Sequence, residues 1–300
     1  MKKPSRTLTI TLTIAGLLAV GVGMYLLISD KPIEDSLLQP EDEATTTQVA
    51  TDPQIQMLGT SVEGREIEVS TYGTGETHLL FVGGIHGGYE WNSVLLAYQL
   101  VDYLEANPQI LPNNITVSVI PVLNPDGLHA VVGKVGRFTA AEVTNDLDQL
   151  AAARFNANQV DLNRNFACNW APESSWRGEV VSAGTSVFSE PEARALRDFV
   201  LNTTPDAAIF FHSAAGAVYG ATCNSELGPG TKALLDTYAI ASGYRAVELF
   251  TAYPITGAVE DWLTSIGIPA VSVELTNHTD VEWQQNLAGV EALLDYYSQQ

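Results

Sequence analysis

The chain has 300 residues, 46% of them apolar, and 14 Lys and Arg stand against 35 Asp and Glu, for a formal net charge of -21. That length and apolar content suffice for one large domain with its own core. The acidic balance repels nucleic acid and other polyanions, so nucleic-acid partners are excluded, and it otherwise reads as a solvated surface that names no substrate.

The first thirty residues differ from everything after them. Lys2, Lys3 and Arg6 precede an uncharged run from Leu8 to Ile28, and Asp30 restores charge. A run of that length can cross a bilayer as a helix. Basic residues before it and acidic ones after it predict a cytoplasmic N-terminus and an exported body. Residues 1–29 therefore read as a transmembrane anchor. A cleaved signal segment, which would leave a secreted body, is the competing reading. Residues 30–52, rich in Asp, Glu, Thr, Gln and Pro, form an expected flexible acidic stalk. Residues 53–300 remain as one catalytic body, expected to be periplasmic or extracellular and monomeric. Its two cysteines, Cys168 and Cys223, would sit where disulfides persist and are expected to pair. Two buried free thiols are the other reading.

Within the body, apolar β-rich runs at Arg65–Tyr72, His78–Gly83, Ile115–Val122, Ala207–His212 and Ile268–Leu275 are candidate strands. Between them, apolar residues recur at helical spacing over Trp91–Glu105, Glu190–Leu201, Thr231–Ser242 and Val281–Ser298. Ser189 and Glu192 predict a capping box at the start of the second of these helices, with Pro191 in its first turn. The alternation predicts an α/β fold, a mixed, mostly parallel central sheet flanked by helices. In such folds ligands gather beyond the carboxyl ends of the strands.

The first such end is FVGGIHGGYEW, where a strand breaks at Gly83-Gly84 and presents His86, with Glu90 following. A neutral imidazole and a carboxylate suit zinc, whose catalytic sites take three protein ligands and keep a position open. The third ligand must come from elsewhere, and His212 closes the strand AAIFFHS in the same setting as His86. NPDG at Asn124–Gly127, VDLNRNF at Val160–Phe166 and FSEPEARAL at Phe188–Leu196 follow in order. Taken alone, NPDG reads as a turn.

This ordered set, completed by a Tyr before Gly…Asp-Trp and by a strand ending Glu-Leu, resembles the zinc carboxypeptidase family typified by carboxypeptidase A, from about Gly64 to Leu275. The resemblance implies one Zn2+ held by His86, Glu90 and His212, a peptide substrate with a free C-terminal carboxylate gripped by Asn163 and Arg164, and a mobile covering Tyr253. It implies Arg154 as the group that polarises the scissile carbonyl, with Arg137 as a rival, and Glu274 as general base. Such a zinc site acidifies water, a carboxylate moves its proton, and a cation stabilises the oxyanion. The family's common pattern has two residues between the first His and the Glu. HGGYE has three, and the glycine pair is expected to absorb the extra one.

Glu260, just before Asp261-Trp262, falls near the pocket for the terminal side chain in such proteins. A carboxylate buried there would favour Lys, Arg or an amine-bearing residue such as diaminopimelate, while one facing solvent would say nothing. The expected activity is a zinc metallocarboxypeptidase. A zinc amidohydrolase acting on peptidoglycan stem peptides or acylated amino acids, and an inactive anchored peptide-binding module, are the other readings.

Overall fold

The computed structural model describes residues 53–223 and 226–300. The expected anchor over 1–29 and the expected stalk over 30–52 lie outside the described residues. Among the described residues no helix is long and apolar enough to cross a membrane.

The elements run in the order β1 (Gln54–Thr60), β2 (Glu66–Gly73), β3 (Thr77–Val82), α1 (Trp91–Ala106), β4 (Ile115–Ile120), α2 (Pro125–Val132), α3 (Leu147–Ala152), β5 (Glu173–Trp176), β6 (Glu179–Ser182), α4 (Pro191–Thr203), β7 (Ala207–Ser213), β8 (Ala217–Gly220), α5 (Pro229–Ser242), β9 (Arg245–Val247), α6 (Val259–Ser265), β10 (Ala270–Leu275) and α7 (Trp283–Ser298). Eight strands form one sheet in the order β1-β2-β4-β3-β7-β10-β8-β9, and β5 and β6 form a separate hairpin. The middle of the sheet is parallel, β4 with β3, β3 with β7 and β7 with β10. Antiparallel pairings flank it, at β1 with β2, β2 with β4 and β10 with β8. The sheet is thus mixed, with its parallel part at the centre.

Sequence explains that centre. LLFV in β3 and AAIFFHS in β7 are buried throughout, as expected of strands covered on both faces. On one face, Leu96, Leu100 and Leu104 of α1, Leu234 and Tyr238 of α5 and Leu293 of α7 pack with Phe81, Ile209 and Phe211. On the other, Leu196 and Val200 of α4 and Trp262 and Leu263 of α6 pack with Leu80, Val82 and Phe210. Emptying such an interior site, as in Phe210→Ala, costs about 3–5 kcal/mol.

Two local expectations change. Glu190, not Ser189, precedes α4, and it makes no side-chain cap. The Ser189 hydroxyl donates to the Glu190 carboxylate instead, while Glu192 turns inward, accepting from the Val62 amide and from Asn156. NPDG is not a bare turn: Asn124 caps α2, its Oδ1 accepting from Gly127 N at 2.9 Å.

Candidate active site

The parallel strands β3, β7 and β10 all run out on the same side, and their ends carry the site. After β3, Gly84 and Gly87 take left-handed φ angles of +62° and +48°. A Cβ on Gly87 would lie 2.8 Å from the Ala153 carbonyl, and one on Gly88 would lie 2.3 Å from Val131. Only glycines fit so tight a turn, and it places Glu90 directly before α1 with its side chain turned back toward His86. Glu90 Oε1 is 2.8 Å from His86 Nδ1, and Oε2 is 3.1 Å from His212 Nδ1. The two Nδ1 atoms are 3.3 Å apart. The extra residue in HGGYE is therefore absorbed, and His86, Glu90 and His212 converge as a group able to hold a metal ion.

The donor set fits zinc. Tetrahedral bonds of about 2.0–2.1 Å imply ligand atoms roughly 3.3 Å apart, close to the separations found here. The electrostatics agree. Burial alone would raise the Glu90 carboxyl, but His86 and His212 outweigh it and hold it well below its usual range. Burial would likewise lower His212, yet Glu260 and Glu90 pull it well above the ordinary histidine value. A buried cluster that draws a proton onto an imidazole in this way is one that favours a cation.

Each histidine has a carboxylate behind it. His212 Nε2 donates to Glu260 Oε1 at 2.8 Å, and His86 Nε2 lies 3.6 Å from Asp161 Oδ1. The Glu260 bond fixes the His212 tautomer that leaves Nδ1 free to coordinate, whereas Asp161 lies just beyond hydrogen-bond reach of the buried His86 Nε2. Glu260 does not face solvent: it is 3% exposed, and the same Oε1 also accepts from Ser272. Glu274 stands in register with His212 on the neighbouring strand and is partly exposed to the cleft. Burial and then the Glu90 charge push its carboxyl up to about 7.

Arg154 reaches the cluster beside Glu90. Its Nε and Nη2 both donate to Asp161 Oδ2 at 2.9 Å, Nη1 is 3.7 Å from Glu90, and its guanidinium lies 4.8 Å from the centre of the Trp176 ring. The rival, Arg137, pairs with Asp102 and covers Tyr98 on the exposed face of α1. Asn163 Oδ1 accepts from Val259 N at 2.8 Å, which leaves the amide NH2 as its donating end. Arg164 donates to the Asn163 carbonyl, and its Nε is buried without a partner. Both line a cleft of about 940 Å³ with His86, Glu90, Arg154, His212 and Glu274. Tyr253 stands at this cleft, 40% exposed and edge-on to Phe250. Cys168 and Cys223 are joined by a disulfide that ties the segment after Arg164 to the pocket wall.

Sequence reasoning passed over Asp161, although it stands within VDLNRNF, and over His278. It assigned no part to the hairpin β5–β6, whose short strands carry little apolar pattern. Yet Tyr89, Trp176, Arg177 and His278 all line the cleft.

A family model described as zinc carboxypeptidase, peptidase M14, matches residues 44–285. The chain belongs to the zinc carboxypeptidase family. Among curated relatives, γ-D-glutamyl-L-diamino acid endopeptidase 1 of Lysinibacillus sphaericus is 24% identical over 246 residues, covering 74% of this chain and 60% of that protein. This chain thus spans less than two thirds of that relative's length. Among solved structures, carboxypeptidase A from Helicoverpa armigera shares the fold with a TM-score of 0.65 at 20% identity, over 82% of this chain and 68% of that one. Murein-tripeptide amidase from Escherichia coli O157 does so at 0.56 and 22%, over 83% and 95%. Zinc carboxypeptidases use one zinc ion, and the His-Glu-His cluster of this family member can hold it.

Proposed function

We propose that this member of the zinc carboxypeptidase family is a metallocarboxypeptidase that releases C-terminal residues from peptides outside the cytoplasm. The observation that carries the reading is the convergence, in one cleft, of the His86–Glu90–His212 cluster, Glu274 beside it, Arg154 beside Glu90 and the Asn163–Arg164 pair. His86, Glu90 and His212 would hold zinc, which when bound supplies Lewis acidity toward water and the scissile carbonyl. Glu274 would take a proton from the attacking water and deliver it to the leaving amine, a task suited to a carboxyl whose pKa lies near neutrality. Arg154, oriented by Asp161, would stabilise the oxyanion. Asn163 and Arg164 would fix the substrate's terminal carboxylate, for which a guanidinium is well shaped, and Tyr253 would cover it.

The pocket favours an amine-bearing terminal side chain. Glu260 Oε1 is committed to His212 and Ser272 and Asp261 accepts from Thr222 N, but two adjacent acids still give this wall a negative bias, and a substrate cation would relieve it. The disulfide supports an oxidising compartment, and the basic-apolar-acidic N-terminus supports a membrane anchor. A second reading, an amidase acting on γ-glutamyl-diamino acid bonds, is favoured by the names of the endopeptidase and murein-tripeptide amidase relatives.

Matched peptides ending in Lys, Leu and Glu test the reading. Release of the last residue should be lost with a chelator, restored by zinc and fastest for Lys. Cleavage confined to γ-glutamyl bonds would shift the assignment to the amidase, and equal rates for all three endings would sink the amine preference.

A further inference from the structure

The cleft carries one group of residues that the proposed chemistry leaves unused. His212 turns Nδ1 toward His86 and Glu90 and Nε2 toward Glu260, so Glu260 and Asp261 lie across the metal cluster from Glu90. With the terminal side chain on the Glu260 side, the rest of the substrate leaves past Glu90 and Arg154. Beside these two stand four further cleft residues: Tyr89 precedes Glu90 in the chain, Trp176 lies under the Arg154 guanidinium, Arg177 lies over Trp176, and His278 packs on Tyr89. The Trp176 ring is central to this wall, meeting Tyr89 edge-on at 5.0 Å and Phe155 at 5.9 Å. His278 packs on Tyr89 at 4.7 Å and is held by the Ser213 hydroxyl, 2.8 Å from its Nδ1. That leaves its Nε2 with no protein partner among the described residues.

Arg177 is the unusual member. It sits 5.6 Å over the Trp176 ring and faces the Tyr89 hydroxyl. Arg154, by contrast, is tied to Asp161, and among the described residues Arg177 forms no ion pair with any carboxylate of a chain whose net charge is -21. Its backbone also runs against local preference. Trp176 pairs with Glu179, so Arg177 and Gly178 are the two loop residues of the hairpin, at φ of +54° and +86°. Hairpin turns of this kind favour Asn, Asp or Gly at the first position, and an arginine there is strained. Strain held at a cleft-lining cation points to a use for its side chain.

We propose that Arg177, backed by Trp176 and flanked by Tyr89 and His278, recognises a carboxylate on the penultimate residue of the substrate. The inference rests on the peptidase reading of the cleft. It makes the cleft bipolar, cationic on the penultimate side and acidic at Glu260 and Asp261, so the complementary substrate carries an acid followed by an amine-bearing terminal residue. The carboxylate can come from the side chain of an α-linked Glu or from the free α-carboxyl of a γ-linked one. Both present the same planar anion to a guanidinium.

The test compares kcat/KM for peptides ending Glu-Lys and Gln-Lys, and for the γ-linked Glu-Lys peptide and its α-carboxamide, with the full zinc-loaded protein. The carboxylate member of at least one pair should be cleaved about tenfold faster or more, mainly through KM. In Arg177→Gln and in Arg177→Asn, which suits the left-handed backbone, that ratio should fall to within twofold of one. Which pair shows the preference identifies the source of the carboxylate. Equal rates within both pairs, or a preference that survives both substitutions, overturn the inference. Affinities of the same peptides for Glu274→Gln separate it from the reading beneath it. An Arg177-dependent preference in binding without any turnover in the parent protein would sink the hydrolytic reading alone, whereas equal affinities would sink this one.

Discussion

Glu260 holds a position from which the sequence alone suggests contact with substrate, yet its carboxylate oxygen accepts from His212 and from Ser272. Its first duty in the folded protein is to orient an imidazole that the metal cluster needs. Carboxylate partners of metal-binding histidines typically contribute 10–100-fold to metal affinity. Glu260→Ala should therefore weaken zinc binding by about that factor, and Glu260→Gln by less, because the amide oxygen can still accept from Nε2. Competition against a chelator of known affinity measures both, and an unchanged zinc affinity in the alanine variant would refute the role. Its neighbour Asp261 is perturbed in the opposite sense: burial and then the Glu260 charge push its carboxyl up to about 6. An acid whose folded pKa exceeds its unfolded value of about 3.9 destabilises the fold when ionised. That penalty is absent below about pH 4, grows as pH rises and is complete above about pH 6, where it is on the order of 2–3 kcal/mol. Asp261→Asn, which can still accept from Thr222 N, should raise the unfolding free energy by about 1–3 kcal/mol at pH 7.5 and leave it nearly unchanged at pH 4. Urea unfolding at the two pH values checks this, and an equal gain at both would show that charge is not the cause. The same substitution should slow release of terminal Lys.

At the scale of elements, the long periodic segments were readable. Strands expected at His78–Gly83 and Ala207–His212 and helices at Trp91–Glu105 and Thr231–Ser242 match the observed ones to within a residue or two, because continuous apolar runs and three-to-four spacing belong to parts buried on one or both sides. The ligand pattern was readable for the same reason, since His86 and His212 follow strands that hydrophobicity marks out. What escaped was set by tertiary contact. Strands β8 and β9 have four and three residues and are held by their neighbours in the sheet. Hairpin β5–β6 is polar and half-exposed, and the bond from Glu260 to His212 spans 48 positions. The expected pairing of Cys168 with Cys223 is present, closing a separation of 55 residues. Gly257 passes so close to this region that a Cβ would lie 2.1 Å from the Arg164 carbonyl, and its amide donates to the Cys168 carbonyl. The disulfide therefore braces both the loop that carries Arg164 and the pocket wall. A disulfide across a loop of this length contributes about 2–4 kcal/mol. Cys168→Ala with Cys223→Ala should lose that much in denaturant titration and should raise KM for peptide substrates more than it lowers kcat. A variant with unchanged KM would show that the bond stabilises the fold without shaping the site.

For the whole molecule, the decisive feature is that the metal cluster joins parts of the chain that are far apart in sequence. His86 comes from the turn after β3, Glu90 from the start of α1 and His212 from the end of β7, and all three side chains are buried. Without a cation the cluster confines one carboxylate and two imidazoles with Asp161, Glu260 and Glu274 close by, in a protein already at -21, so the metal both links the elements and offsets concentrated negative charge. A ligand that binds only the native state stabilises it by about 2.7 kcal/mol at a free concentration one hundred times its dissociation constant. For a body of this size each kcal/mol moves Tm by about 2–4 °C. Stripping zinc with a chelator should therefore lower Tm by roughly 5–10 °C and abolish peptide hydrolysis, and one equivalent of zinc should restore both together. His212→Ala should start at the lower Tm and not respond to zinc. If chelation left Tm unchanged in a sample shown by elemental analysis to have lost its zinc, the cluster would not be the place where that zinc was bound.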